Sequence, residues 1–203
     1  NTKLSFYFVL NFSAVVMASY VSFNAVLFFS LYIFLIWFYS HKLKKLPFIG
    51  NLTSAILTIL PFFAIFLYYK NFEHVIFVHA IFLFLIISMR ELTKDLENMK
   101  GDLLLNYKTI PVVYGENASK IMLTVLIGLT SVPVYLLLNH YDVGHMYLFF
   151  YLSVILLLIF LLLLWKSKTK THYLILHNIL KFIIVAGVFS IVLINVNVVL
   201  NRI

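Results

Sequence analysis

The sequence predicts an all-α fold: a polytopic bundle of transmembrane helices. Three observations carry this. Hydrophobic residues make up 64% of the 203 and charged residues only 11%, where a water-soluble domain has about a quarter charged. The mean hydropathy is +1.05, so the apolar surface needs a bilayer as part of its solvent. The apolar residues also fall into runs near the ~20-residue length with which a helix crosses the hydrocarbon core.

Seven runs qualify, at 5–22, 24–40, 52–69, 74–90, 118–138, 146–165 and 178–200. Pro61 and Pro133 lie inside two of them, where kinks are expected and tolerated if neighbouring helices satisfy the freed carbonyls. Gly50, Gly115 and Gly144 fall in the breaks. The chain begins at Asn1 without a basic segment and cleavage site, so the first run reads as a membrane helix and not as a signal peptide.

The breaks alternate in charge. Segment 41–51 holds Lys42, Lys44 and Lys45; segment 90–117 holds Arg90, Lys94, Lys100 and Lys108; segment 166–177 holds Lys166, Lys168 and Lys170. The opposite breaks are nearly bare, with Lys70 and Glu73 in one, Asp142 in another and no charge at Val21–Phe23. The positive-inside rule therefore places the three basic segments and the N-terminus in the cytoplasm, and the C-terminus on the far side. The net charge of +8 reflects this topology. No basic stripe with interleaved aromatics lies on a polar segment, which argues against a nucleic-acid partner. With no cysteine in the chain, disulfides, thiolate metal sites and thiol nucleophiles are excluded.

Polar chemistry concentrates at one place. Of seven acidic residues, Glu91, Asp95, Glu97 and Asp102 lie within twelve positions directly after the fourth run. If that helix continues at about 100° per residue, Glu91, Asp95, Asn98 and Asp102 stand near 0°, 40°, −20° and 20° and share a stripe, while Glu97 points elsewhere. Like charges so stacked repel, and a cation would relieve them. Mg²⁺ suits carboxylates that leave room for phosphate oxygens and water. Periodicity alone leaves open a solvated segment whose acids offset Arg90, Lys94 and Lys100. The histidine pairs His74/His79, His140/His145 and His172/His177 are spaced by five, not by the i,i+4 of a helical metal pair, and read as packing or exposed residues.

The wider string Arg90-Glu-Leu-Thr-Lys-Asp95-Leu-Glu-Asn-Met-Lys-Gly-Asp102, followed by Asn106-Tyr-Lys-Thr-Ile-Pro-Val-Val-Tyr-Gly115, resembles the second aspartate-rich motif of the UbiA prenyltransferases. The segment Tyr39-Ser-His-Lys-Leu-Lys-Lys-Leu-Pro-Phe-Ile-Gly-Asn51 resembles that family's Tyr/Lys cytoplasmic loop, two spans upstream on the same face. The resemblance implies one transmembrane domain over 1–203 with seven spans present of an expected nine. The first two helices, and the Asn-Asp-x-x-Asp motif ending the second, are not found in this sequence. It further implies transfer of an isoprenoid chain from a prenyl diphosphate to a hydrophobic acceptor, lipid or aromatic, with Mg²⁺ as cofactor. Within the family the string is most similar to the geranylgeranylglycerol-phosphate geranylgeranyltransferase branch, which implies a bacterial or archaeal membrane.

By the same resemblance Asp95 and Asp102 are the metal candidates, with Glu91 and Asn98 next. Asn98 stands where the family often has an aspartate, and offers a carbonyl oxygen without charge. Lys44, with Tyr39, Lys45, Arg90 and Lys108, is implied at the diphosphate. Arg90 has the alternative of pairing with an acid, and each lysine that of marking topology. Two rival readings follow from other features. A transporter or assembly subunit predicts buried acids mid-span, which these spans lack away from their ends. A CDP-alcohol phosphotransferase requires an Asp-Gly-x-x-Ala-Arg signature that does not occur. An inactive truncated relative is the third alternative.

Overall fold

In the computed structural model, which describes residues 2–70 and 72–193, the backbone forms seven α-helices. They are α1 (Thr2–Ser19), α2 (Phe23–His41), α3 (Ile49–Tyr68), α4 (His74–Leu104), α5 (Ile110–Asn139), α6 (Tyr147–Lys166) and α7 (Lys170–Ser190). Short 3-10 turns at Leu43–Lys45, Gly144–Met146 and Ile191–Leu193 complete the order. Six helices, α2 to α7, are long and apolar enough to cross a membrane. In α1 the apolar stretch with described side chains is the shorter Ser5–Ser19. The chain is an all-α integral membrane bundle.

α4 is the axis of the bundle. It packs against α3, α5 and α7, while α6 bridges α5 and α7. Val78, Phe82, Ile86, Met89, Leu92 and Leu96 recur every three or four residues along α4 and form one buried stripe. That stripe meets Leu123, Val134 and Leu137 of α5, Phe150, Phe160 and Leu164 of α6, and Leu176, Leu180 and Ile183 of α7. A smaller cluster, Ala55, Ile59 and Ile87, joins α3 to α4. Close approach is helped by Gly187 of α7, where an added Cβ would stand 3.1 Å from the Phe149 ring of α6. α1 packs on α2, and α2 on α3. α2 contributes no buried residue: its apolar side chains face outward, as lipid contact allows.

Three expected boundaries are corrected. The segment 90–117 is mostly helical: α4 continues to Leu104 and α5 begins at Ile110. At 31 residues α4 is about 46 Å long, so its polar end projects beyond a ~30 Å hydrocarbon core. The seventh helix begins at Lys170, not near 178, and its described part ends at Ser190; the expected stretch 194–200 lies outside the described residues. The physical reason is shared. Hydropathy marks where lipid ends, and backbone hydrogen bonding carries a helix on into polar residues. α3 and α5 run through Pro61 and Pro133, and the backbone break in α5 is at Gly115, with φ of 85°. That left-handed conformation is one glycine adopts at little cost.

The three basic breaks lie at one end of the bundle, joined by direct bonds. Lys108 N–H donates to the Lys45 carbonyl at 3.0 Å. The buried Lys120 ammonium donates to the Ser167 carbonyl at 2.6 Å and pairs with Glu116 at 2.8 Å. The Tyr173 hydroxyl donates to the same Glu116 carboxylate at 2.7 Å.

Candidate functional site

The site is built on the polar end of α4. Seven of the fifteen residues from 90 to 104 are charged, so this stretch lies past the apolar membrane-spanning part that ends at Met89. Continuation of the helix through it gives the expected stripe. Glu91, Lys94, Asp95, Asn98 and Asp102 line one cleft of about 110 Å³. The facing wall comes from Tyr39 at the end of α2, Lys44 of the 3-10 turn, Gly50 and Asn51 in the first turn of α3, and Tyr107 and Thr109 of the 105–109 loop.

Local chemistry explains why these segments stay together. Tyr107 N–H donates to the Asp102 carbonyl at 2.9 Å, which folds the loop back on the end of α4. Asn106 takes a positive φ of 55° in that turn, a conformation asparagine adopts more readily than most residues. The Thr109 hydroxyl donates to Asp102 Oδ2 at 3.3 Å. Lys108 N–H then ties the loop to Lys45, so the two segments recognised in the sequence share a hydrogen bond. The ammonium groups of Lys44 and Lys45 stand 5.8 and 5.7 Å from the Tyr107 ring centroid, a cation–π arrangement that holds both lysines beside the loop; of the two, Lys44 lines the cleft and Lys45 does not. At Gly50 a Cβ would lie 3.1 Å from the Leu43 carbonyl oxygen and 3.2 Å from that of Lys44. A side chain there would press on the lysine turn, and glycine lets α3 begin so close to it.

The surroundings of the two aspartates disfavour their ionised forms. Burial pushes the Asp95 carboxyl up to about 7; the Asn51 amide and Lys94 pull against it, while the charges of Asp102 and Glu91 push it further up. Burial also raises Asp102, against the Thr109 hydroxyl, Lys44 and Lys94. Each carboxylate is thus short of compensating positive charge. Among the described residues no three His, Asp or Glu converge as a self-sufficient metal centre. That donor set, two under-compensated carboxylates open to a cleft, fits Mg²⁺ in the mode that takes one or two protein carboxylates and completes its shell with ligand oxygens and water.

The other expected residues divide. Glu91 lines the cleft but is buried and held by two cations, Arg90 at 2.8 Å and Lys94, which leaves its oxygens engaged. Arg90 takes its alternative role as an acid's partner. Asn98 donates its amide to the Lys94 carbonyl at 3.1 Å, so its side-chain oxygen is the atom left for a ligand. Lys108 contributes its backbone to the loop and does not line the cleft. Glu97 leaves the stripe, as its helical angle requires. Its Oε2 lies 2.9 Å from His177 Nδ1 of α7, with His177 buried and Glu97 nearly so. That histidine is thus a packed residue, as its spacing suggested, with an acid partner on α4 that the sequence did not announce. Asn51, Lys94, Tyr107 and Thr109 join the cleft without having been singled out. Asn51, Tyr107 and Thr109 lie inside the two resembling strings, and Lys94 stands i+3 from Glu91 on the same helix.

With this geometry in place, the chain compares as follows with known proteins. The model of the UbiA prenyltransferase family matches residues 1–184. The digeranylgeranylglyceryl phosphate synthase of Methanobrevibacter smithii is 39% identical over 97 residues, 46% of this chain and 34% of that protein. The protein of the same name from Pyrococcus horikoshii is 34% identical over 137 residues, 66% of this chain and 49% of that one. The chain thus spans about a third to a half of these relatives' own length. A solved structure from a study of digeranylgeranylglyceryl phosphate synthase in membranes superposes with a TM-score of 0.69 at 23% identity, over 92% of this chain and 67% of that one. At that identity it supports the fold.

Proposed function

Because the chain belongs to the UbiA prenyltransferase family, we propose that it carries the diphosphate end of a membrane prenyltransferase site, passing an isoprenoid chain from a prenyl diphosphate to a hydrophobic acceptor. The observation that supports this most is the pairing of Asp95 and Asp102 across one cleft from Lys44, at the polar end of an apolar bundle. In the reaction the allylic C–O bond breaks and the diphosphate leaves with the electron pair. An acceptor oxygen or carbon then bonds to the freed allylic carbon and gives up a proton.

Asp95 and Asp102 would hold Mg²⁺, which when bound neutralises charge developing on the leaving diphosphate. Lys44 supplies a charge-assisted contact to the same oxygens, Tyr107 holds Lys44 in the cleft with Lys45 beside it, and Tyr39 offers a phenolic donor. The bundle below the cleft excludes water from the allylic centre. The names of the relatives point to a geranylgeranyl donor and a geranylgeranylglyceryl phosphate acceptor. The lysine-rich end of the bundle is assigned to the cytoplasm by the charge rule.

The test is transfer of a radiolabelled prenyl diphosphate by the complete gene product in liposomes, with and without Mg²⁺, over a small acceptor panel. Mg²⁺-dependent product is expected, lost on chelation and restored by adding the metal back. Asp95→Ala and Asp102→Ala should each lower turnover at least a hundredfold, about 2.7 kcal/mol of barrier, with expression unchanged. Wild-type turnover in both variants would refute the site assignment.

A further inference from the structure

Asn51 ends one of the two resembling strings, and neither the resemblance nor the carboxylate chemistry gives its side chain a role. It sits in the first turn of α3 and lines the cleft beside Asp95 and Lys44. Its amide nitrogen is fully buried and has no hydrogen-bond partner. It lies near enough to Asp95 to favour the ionised carboxylate, but without the geometry of a hydrogen bond to it. Buried polar groups in native proteins are nearly always paired, and an unpaired one calls for an explanation such as a catalytic or ligand-binding role.

The surroundings narrow the explanation. Gly50, the preceding residue, leaves open the space where a Cβ would stand 3.1 and 3.2 Å from the carbonyl oxygens of Leu43 and Lys44, so the first turn of α3 packs closely on the lysine turn. Phe48, which begins that helix, takes a positive φ of 57°, a strained conformation for a bulky residue and one retained where the surroundings demand it. The chain thus spends backbone strain and a glycine to hold an amide donor in the wall of the cleft. The charged side chains lining the cleft with it are three acids, of which Glu91 is engaged by its own cations and Asp95 and Asp102 would be claimed by a metal, and two lysines, Lys44 and Lys94, that are themselves donors. The acceptor that completes such a set is an oxygen-rich anion entering with its cation.

We propose that Asn51 is a substrate-binding residue of this site, its side-chain amide donating to an oxygen of the bound prenyl diphosphate from the α3 side. The inference rests on the prenyltransferase reading above. In it the diphosphate is gripped from three directions: by the cation on Asp95 and Asp102, by Lys44, and by Asn51. Asparagine suits the place better than a third basic residue, because it adds a donor without lowering the affinity of the adjacent carboxylates for a cation.

The experiment measures binding of a non-reactive prenyl thiolodiphosphate, in Mg²⁺, to the complete protein in detergent, for the wild type, Asn51→Ala and the isosteric Asn51→Asp. Thermal stability and the steady-state constants for donor and acceptor are read alongside. The expected result is a tenfold or greater loss of analogue affinity in both variants. The donor KM should rise in step, with the acceptor KM and the Tm unchanged. If Asn51→Ala fails to fold, Asn51→Asp keeps the shape and decides the matter. Wild-type affinity for the analogue in a folded variant would overturn the inference. So would a fall in kcat with donor binding intact, since Asn51 would then act on another step. Absence of analogue binding by the wild type itself would overturn the prenyltransferase reading, a result distinct from either.

Discussion

The Glu97–His177 pair makes a prediction about what holds the polar end of α4 in place. The two side chains meet at 2.9 Å with exposures of 12% and 8%, across 80 residues of sequence. Whether the imidazole is neutral or charged, its Nδ1–H is the donor that Glu97 uses. Removing either partner has unequal consequences. His177→Leu leaves a buried carboxylate unpartnered, and breaking a buried pair in this way costs about 3 kcal/mol or somewhat more. Glu97→Leu leaves a histidine whose Nε2 already lacks a partner, and an unsatisfied neutral group costs about 1–3 kcal/mol. The double variant replaces the pair with apolar side chains of similar bulk, which is often near neutral. Added separately the single costs come to roughly 5 kcal/mol, so the double variant at about 1–2 implies a coupling of about 3 kcal/mol. At about 2–4 °C per kcal/mol for a chain this size, His177→Leu should lower the apparent Tm by about 6–12 °C. The assay is denaturant titration in mixed micelles over the four proteins of the cycle. Additive single effects, within about 0.5 kcal/mol, would refute the claim that these residues brace α4 against α7 through each other.

Two further predictions test how the site is held. Gly50→Ala should gain at most about 1 kcal/mol in helix propensity, but its Cβ would press on backbone carbonyls at 3.1 and 3.2 Å, and overpacking costs about 1–3 kcal/mol. Net destabilisation and a raised donor KM are expected in stability and transfer assays, because the displaced turn carries Lys44; unchanged values in both would refute it. Lys120→Met removes the buried ammonium bonded to Glu116 and the Ser167 carbonyl, and should lower stability by about 3 kcal/mol. The same micelle titration checks this, and a wild-type midpoint would show the network to be dispensable.

Much of the molecule was legible because the bilayer acts on composition directly. A ~20-residue apolar run has few fates other than a spanning helix, so the six longer helices of the described bundle and their alternating polarity follow from hydropathy and lysine placement. The stripe of Asp95, Asn98 and Asp102 followed from the 3.6-residue period, and so did the exclusion of Glu97 from it. Helix ends were misread for the complementary reason: hydropathy reports the lipid boundary, and α4 and α7 extend past it on backbone hydrogen bonds that no side-chain pattern announces.

What the tertiary structure alone decided is which polar groups meet. Glu91 finds its partners Arg90 and Lys94 within its own helix, but the burial that leaves Asp95 under-compensated comes from the walls packed around the cleft. His177 turned from an unremarkable histidine into the partner of Glu97 because α7 lies along α4. Asn51 entered the cleft because α3 begins against the lysine turn, at a distance set by Gly50. Sequence determines the solvent each segment prefers, since that is a sum over its own residues. Where a charge is compensated by a residue tens of positions away, as Glu97 is by His177, only the packed bundle supplies the distance.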